Sequence, residues 1–226
     1  MGTIRENITR LHATIRETAE RVGRDADDIT LLVVTKNRTV EQIRELLECG
    51  DFLLGENRVQ EAKSKIPLLP QTIHWHMIGH LQRNKVKEAL QLFEMIQSVD
   101  SLRLAREIQK IADAMDRSVD LLVEVNVAGE ETKYGIPPDE TQTFIRELSA
   151  LPRLHVKGLM TMAPFTHDQE RVRPYFRRVR ELFDELAQAQ IQGIEMNYLS
   201  MGMSNDYRVA VEEGSNMLRI GSAVFD

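Results

Sequence analysis

Eight short apolar runs punctuate the chain, and every one but the last gives way to a helical repeat. They are "ITLLVV", "DFLLGE", "TIHWHMIG", "FEMIQSVD", "VDLLVEVNV", "HVKGLMTM", "MNYLSMGMS" and "NMLRIGSA". Strands that alternate with helices build a parallel sheet, because a parallel partner is reached only through a long crossover. Eight such units within 226 residues predict an α/β fold, a single (β/α)8 TIM-type barrel. An open doubly wound sheet is the alternative, but its fingerprint G-x-G-x-x-G is missing after the first strand. No long linker, low-complexity tract or second zone breaks the alternation, so residues 1–226 are expected to form one domain.

The helices carry their own punctuation. Ile4, Ile8, Leu11, Ile15, Ala19 and Val22 recur at three- and four-residue steps and Gly23 supplies a stop, which predicts an extra N-terminal helix ahead of the barrel. Thr39 and Gln42 have the spacing of a capping box, and Gly50 closes the helix they begin. Further helices are expected over Asn57 to Lys65, from about Gln82, after the cap Ser101, around Phe144, Ile145 and Leu148, after Pro174, and from Ser204 to Glu213.

A net charge of −6 and a pI of about 5.6 argue against a nucleic-acid surface, which needs a concentrated basic face. The single Cys49 excludes an intrachain disulfide and suits a reducing cytoplasm. No apolar run approaches a bilayer span and the N-terminus lacks a signal-peptide core, so no membrane attachment is expected. No exposed apolar stripe is evident, which favours a monomer. His74 and His76 share a strand face, but no third and fourth metal ligands accompany them.

In a barrel, chemistry gathers where strands end and βα loops begin. Two cationic residues directly follow apolar runs without serving as caps: Lys36 and Arg219. An ammonium at a barrel mouth that loses part of its water becomes a usable amine, suited to a Schiff base with a carbonyl compound. The last two strands end in "LSMGMSND" and "LRIGSAVF", where Ser200, Gly202, Ser204, Gly221 and Ser222 offer hydroxyls and unobstructed N–H groups. Loops after strands seven and eight frequently bind phosphate, and the helix expected from Ser204 would add a positive dipole end. Together these features predict a phosphorylated carbonyl ligand. Arg219 needs a buried partner, either a carboxylate such as Glu124 or Glu56, or an acceptor on the ligand. The methionines, Met160, Met162, Met196, Met201 and Met203 among them, are read as fillers, with room for a pair beside a flat aromatic ligand.

"VVTKNRTVEQI", "GENRVQE", "WHMIGHLQRNK", "SVDS", "VNVAGEETKYGI", "GLMTMAP", "LSMGMSNDY" and "LRIGSAVF" follow one another along nearly the whole chain. In this series the chain closely resembles the small pyridoxal phosphate homeostasis proteins, which are similar to the barrel domain of alanine racemase. The resemblance implies pyridoxal 5′-phosphate as cofactor, joined to Lys36 as a Schiff base. It implies that Ser200, Gly221 and Ser222 hold the phosphate, that Arg219 faces the pyridine nitrogen, and that Asn57 and Met201 lie near the ring. Position 222 is Ser where the family more often has Thr, and the hydroxyl and N–H are the same.

An arginine beside the pyridine nitrogen accepts no proton and so weakens the cofactor as an electron sink. Racemisation needs acid/base groups on both faces of the substrate. The second, which alanine racemases draw from another domain, has no evident counterpart before Asp226, although Tyr134 and Tyr207 are candidates. The expectation is therefore a cytoplasmic protein that holds and buffers pyridoxal phosphate without robust catalysis, for delivery to pyridoxal-phosphate-dependent apo-enzymes. Lys133 is a candidate secondary amine or a solvated loop lysine. The alternatives are an amino-acid racemase and a class I aldolase acting on a phosphorylated sugar.

Overall fold

The computed structural model describes residues 2–50, 52–130, 133–166 and 168–226. Eight parallel strands close on themselves in chain order. They are β1 (Thr30–Val34), β2 (Leu53–Glu56), β3 (Trp75–Met77), β4 (Met95–Val99), β5 (Val119–Val125), β6 (Leu154–Thr161), β7 (Ile194–Ser200) and β8 (Met217–Ile220). Thr30 to Val33 pair with Met217 to Ile220, and this ladder closes the barrel. Asp51, where the second strand was expected to begin, lies outside the described residues. No described helix is long and apolar enough to cross a membrane.

The helices are α1 (Ile4–Arg21), α2 (Val40–Leu47), α3 (Val59–Lys65), α4 (Val86–Leu92), α5 (Leu102–Ala114), α6 (Thr141–Leu148), α7 (Arg173–Gln188), α8 (Tyr207–Glu212) and α9 (Ser222–Phe225). The capping box at Thr39 and Gln42 forms, with N–H to oxygen distances of 3.3 and 3.0 Å. The expected extra helix is α1. Its Asn7 amide donates to the carbonyl of Val224 at 3.0 Å and ties it to α9.

Three helix expectations are corrected. Asn57 is outside α3, because Arg58 before it is extended. α8 starts at Tyr207 rather than Ser204, because Ser204 turns its hydroxyl away from that helix and accepts N–H bonds from Gly221 and Ala223. The last strand, expected to have no helix after it, is followed by the short α9.

Most of the core lies between the sheet and the surrounding helices, where one apolar cluster runs from Ile4 to Val224. The barrel interior is different. Leu32, Val34 and Met217 form one small apolar group and Met95, Leu122 and Met160 another. Buried polar side chains, among them His76, Gln97, Ser200 and Arg219, fill space between them.

The β6–β7 ladder shifts register between Val156 and Gly158. Gly158 has φ +148°, and a Cβ there would lie 1.9 Å from the carbonyl oxygen of Tyr198. Gly158→Ala is therefore expected to lower unfolding stability by about 3 kcal/mol in a urea titration, through both strain and overpacking.

Candidate functional site

A cavity of about 460 Å³ opens at the C-terminal ends of the strands. Lys36, Asn57, Arg219, Gly221 and Ser222 all line it, and so does Ser204. Five of the seven residues singled out as ligand-binding in the sequence thus share one cavity. Ser200 and Met201 do not line it. Both are fully buried, because β7 still runs inside the barrel wall at Ser200.

Lys36 sits in the turn just past β1 and is exposed, so the expected partial desolvation is not met. What fixes the amine is the turn beneath it. Asn37 takes φ +59°, a left-handed conformation that Asn tolerates better than most residues. Its N–H donates to Glu61 Oε1 at 2.6 Å. Lys65, buried at the end of α3, donates to the carbonyl of Thr35 at 2.8 Å, to Glu56 Oε1 at 2.9 Å and to Glu61 Oε1. Thr35 Oγ1 donates to the same Glu56 oxygen at 2.6 Å. Arg38 pairs with Asp226 at 2.8 Å and lies over the ring of Phe225, which anchors the far side of the turn to α9. Burial raises the Glu56 carboxyl above its usual range, while Thr35 and Lys65 oppose the shift.

Arg219 reaches the cavity from within the barrel. Its Nη1 donates to Ser200 Oγ and its Nη2 to the carbonyl of Thr161, each at 2.8 Å. It makes no ion pair with Glu124 or Glu56, so the carboxylate partner considered from the sequence is replaced by neutral acceptors. Burial pushes its guanidinium down to about 10, with Glu124 and Asp206 working the other way. Burial and the nearby Asp100 push the Glu124 carboxyl up to about 7.

Past the end of β8, the N–H groups of Gly221 and Ala223 converge on Ser204 Oγ at 3.3 and 3.2 Å. Asp206 shapes this loop by accepting the N–H of Met203 at 2.6 Å. Ser204, Gly221 and Ser222 together form a small pocket of hydroxyls and amides that suits a phosphate. Asn57 Oδ1 is buried without a hydrogen-bond partner, a polar atom in the wall still lacking its complement. Of the methionines named from the sequence, Met162 and Met203 line the cavity.

The remaining candidates lie elsewhere. Tyr134 stacks on His80 with ring centroids 3.8 Å apart, and His80 pairs with Asp100 at 2.9 Å. Neither Tyr134 nor Tyr207 lines the cavity, and Lys133 is an exposed loop residue. His74 meets Glu94 while His76 points into the barrel, and no metal-binding group of three forms among the described residues. Sequence reasoning missed Gln97. Its signal was a polar side chain in the middle of an otherwise apolar run, "FEMIQSVD".

Comparison with known proteins finds relatives over the full barrel. The family "Alanine racemase, N-terminal domain" matches residues 6–226. A pyridoxal phosphate homeostasis protein of Aquifex aeolicus is 43% identical over 221 residues, 97% of this chain and 96% of that protein. Among solved structures, an unknown protein from Bifidobacterium adolescentis superimposes with a TM-score of 0.94 at 33% identity, covering 98% of this chain and 94% of the other. PipY of Synechococcus elongatus, with PLP bound, superimposes with a TM-score of 0.84 at 33% identity, covering 99% and 100%.

Proposed function

The chain belongs to the alanine racemase N-terminal domain family, and from that premise we propose that it binds pyridoxal 5′-phosphate and serves in its homeostasis. One observation carries this reading: a primary amine, a buried guanidinium and a hydroxyl-and-amide pocket face a single cavity. The bound group supplies an aldehyde, which forms a Schiff base with a primary amine. Lys36 is that amine. Arg219 presents N–H donors to the pyridine nitrogen, and Asn57, which lines the cavity, lies near the ring. Gly221, Ser222 and Ser204 hold the phosphate. Ser204 takes the role first given to Ser200, whose hydroxyl is committed inside the barrel to Gln97 at 2.7 Å.

The protein is a carrier and buffer of the cofactor, acting as a single-domain monomer in the cytoplasm. Its recipients are pyridoxal-phosphate-dependent apo-enzymes. The lining supports the absence of robust catalysis: apart from Lys36 and the arginines, its only titratable described residue is Asp206, which is buried and bonded to its own loop. A racemase needs a second group to work the opposite face of the substrate. Cα-hydrogen exchange of amino acids in heavy water at enzyme-like rates, lost in Lys36→Ala, would overturn the carrier reading in favour of racemisation. The test of binding is the visible spectrum of protein mixed with pyridoxal phosphate, before and after borohydride, with the modified peptide mapped. Label on Lys36 is expected, and label on another side chain sinks the assignment.

The pocket also predicts a split between two vitamers. Ser204→Ala is expected to weaken pyridoxal phosphate by about tenfold or more, the range for a hydrogen bond to a charged group. Pyridoxal, which lacks the phosphate, should bind the variant and the wild type alike in the same spectrophotometric titration.

A further inference from the structure

Four buried polar side chains form a line through the barrel interior. Arg219 Nη1 lies 2.8 Å from Ser200 Oγ, Ser200 Oγ lies 2.7 Å from Gln97 Oε1, and Gln97 Nε2 lies 2.9 Å from His76 Nδ1. The protons along this line can be assigned from one end. A guanidinium only donates, so Ser200 accepts from Arg219 and gives its single proton to Gln97. The Gln97 atom that receives it is therefore the carbonyl oxygen, and the amide NH2 faces His76. His76 must then accept at Nδ1 and carry its proton on Nε2. That requires a neutral imidazole, and burial, with His74 adding to it, pushes His76 down to about 4. Gln97 Nε2 also lies 3.1 Å from Met217 Sδ, so both ends of the amide are engaged.

At the other end, Arg219 is fixed a second time by the carbonyl of Thr161. These two bonds use two of its five N–H groups, and the guanidinium lines the cavity, so further donors remain for a ligand acceptor. Every hydrogen bond in the line points away from the cavity. Arg219, the one member that lines the cavity, therefore meets the ligand only as a donor.

We propose that Gln97 and His76 are positioning residues, which lock Ser200 as an acceptor and so hold the donor-only Arg219 in place toward the cofactor, where it keeps the pyridine nitrogen unprotonated. The proposal rests on the pyridoxal phosphate reading and extends it to residues that never touch the ligand. A buried polar line costs stability unless its members are paired, and here no fully buried polar atom of the four lacks a partner. An unprotonated ring nitrogen suits a protein that stores the aldehyde and does not process amino acids.

Two variants and one measurement on the wild type test it. In Gln97→Leu the line is cut, and the pH midpoint of the visible band of the pyridoxal phosphate complex is expected to move by about one unit, with Lys36 still the borohydride-labelled residue. Gln97→Glu keeps an acceptor for Ser200 but has no proton for His76. It should restore the band toward wild type and raise the His76 midpoint, read by nitrogen-15 NMR. In the wild type without ligand, His76 should be neutral with its proton on Nε2 between about pH 6 and 8. A folded Gln97→Leu variant with the wild-type spectrum at every pH overturns the proposal, as does a wild-type His76 protonated on Nδ1. Should Gln97→Leu fail to fold, an unchanged His76 midpoint in Gln97→Glu overturns it instead. A wild type that takes up no pyridoxal phosphate defeats the cofactor reading and the role toward the ring nitrogen. The His76 tautomer then still decides whether the pair orients Arg219.

Discussion

Replacing Lys36 by alanine abolishes the visible absorbance of the protein mixed with pyridoxal phosphate and leaves nothing for borohydride to fix. The cofactor would then rest on hydrogen bonds alone, from Arg219 and from the pocket of Ser204, Gly221 and Ser222. Retention on dialysis should fall by about a hundredfold or more, since each tenfold corresponds to about 1.4 kcal/mol. The fold should survive, because the Lys36 side chain is exposed and the turn is held by Asn37, Arg38 and Thr35. A Lys36→Ala protein that kept the visible band would place the Schiff base on a different amine.

The second large effect concerns stability. Lys65 is the only described cation paired with Glu56, which is fully buried. Removing one partner of a buried pair leaves the other uncompensated, so Lys65→Met should cost about 3–5 kcal/mol in urea unfolding. The pH dependence has a definite sign. Loss of Lys65 raises the folded Glu56 carboxyl further above its unfolded value of about 4.3. Between those two values the native state binds more protons than the unfolded state, so stability falls as pH rises through that window. The variant should therefore come closest to wild type below the unfolded value. The double variant Lys65→Met with Glu56→Gln should recover much of the loss. If Lys65→Met alone unfolds like wild type at neutral pH, the buttress under Lys36 is not held by this pair. Because Lys65 also grips the Thr35 carbonyl, the single variant should slow labelling of Lys36 as well.

The barrel was legible because several strands, β3, β4, β5 and β8 above all, are buried on both faces, and such runs stand out from the helices between them. Lys36 and Arg219 were legible for a related reason, since each puts a charge where an apolar run stops. The exchange of Ser200 for Ser204 shows where that reasoning ends. Residues 200, 202 and 204 have the same parity and would share a face if β7 continued. The strand ends at Ser200, and Gly202 takes φ +95° with Ala210 and Leu218 packed where its side chain would stand. Beyond that turn, alternation no longer says which way a side chain points. The start of α8 was misplaced for the same reason, because a serine before a helix is as good a ligand for a neighbouring loop as it is a cap. Gln97 could have been found by asking what a lone amide does inside an apolar strand, but its three partners come from β3, β7 and β8. No local pattern announces contacts of that range.

The line from His76 to Arg219 also bears on how the chain finds its native stagger. Its members come from two pairs of neighbouring strands, β3 with β4 and β7 with β8, and the Ser200–Gln97 bond joins the pairs across 103 residues of sequence. If β4 slipped by two residues, Met95 or Val99 would replace Gln97 opposite Ser200, stranding the Ser200 proton and the His76 acceptor nitrogen in a buried interior. Aliphatic contacts would tolerate that slip far better than this polar seam does. The seam thus acts as a register key: misthreaded closures of the cylinder are penalised, and a single alignment of its staves is left favourable.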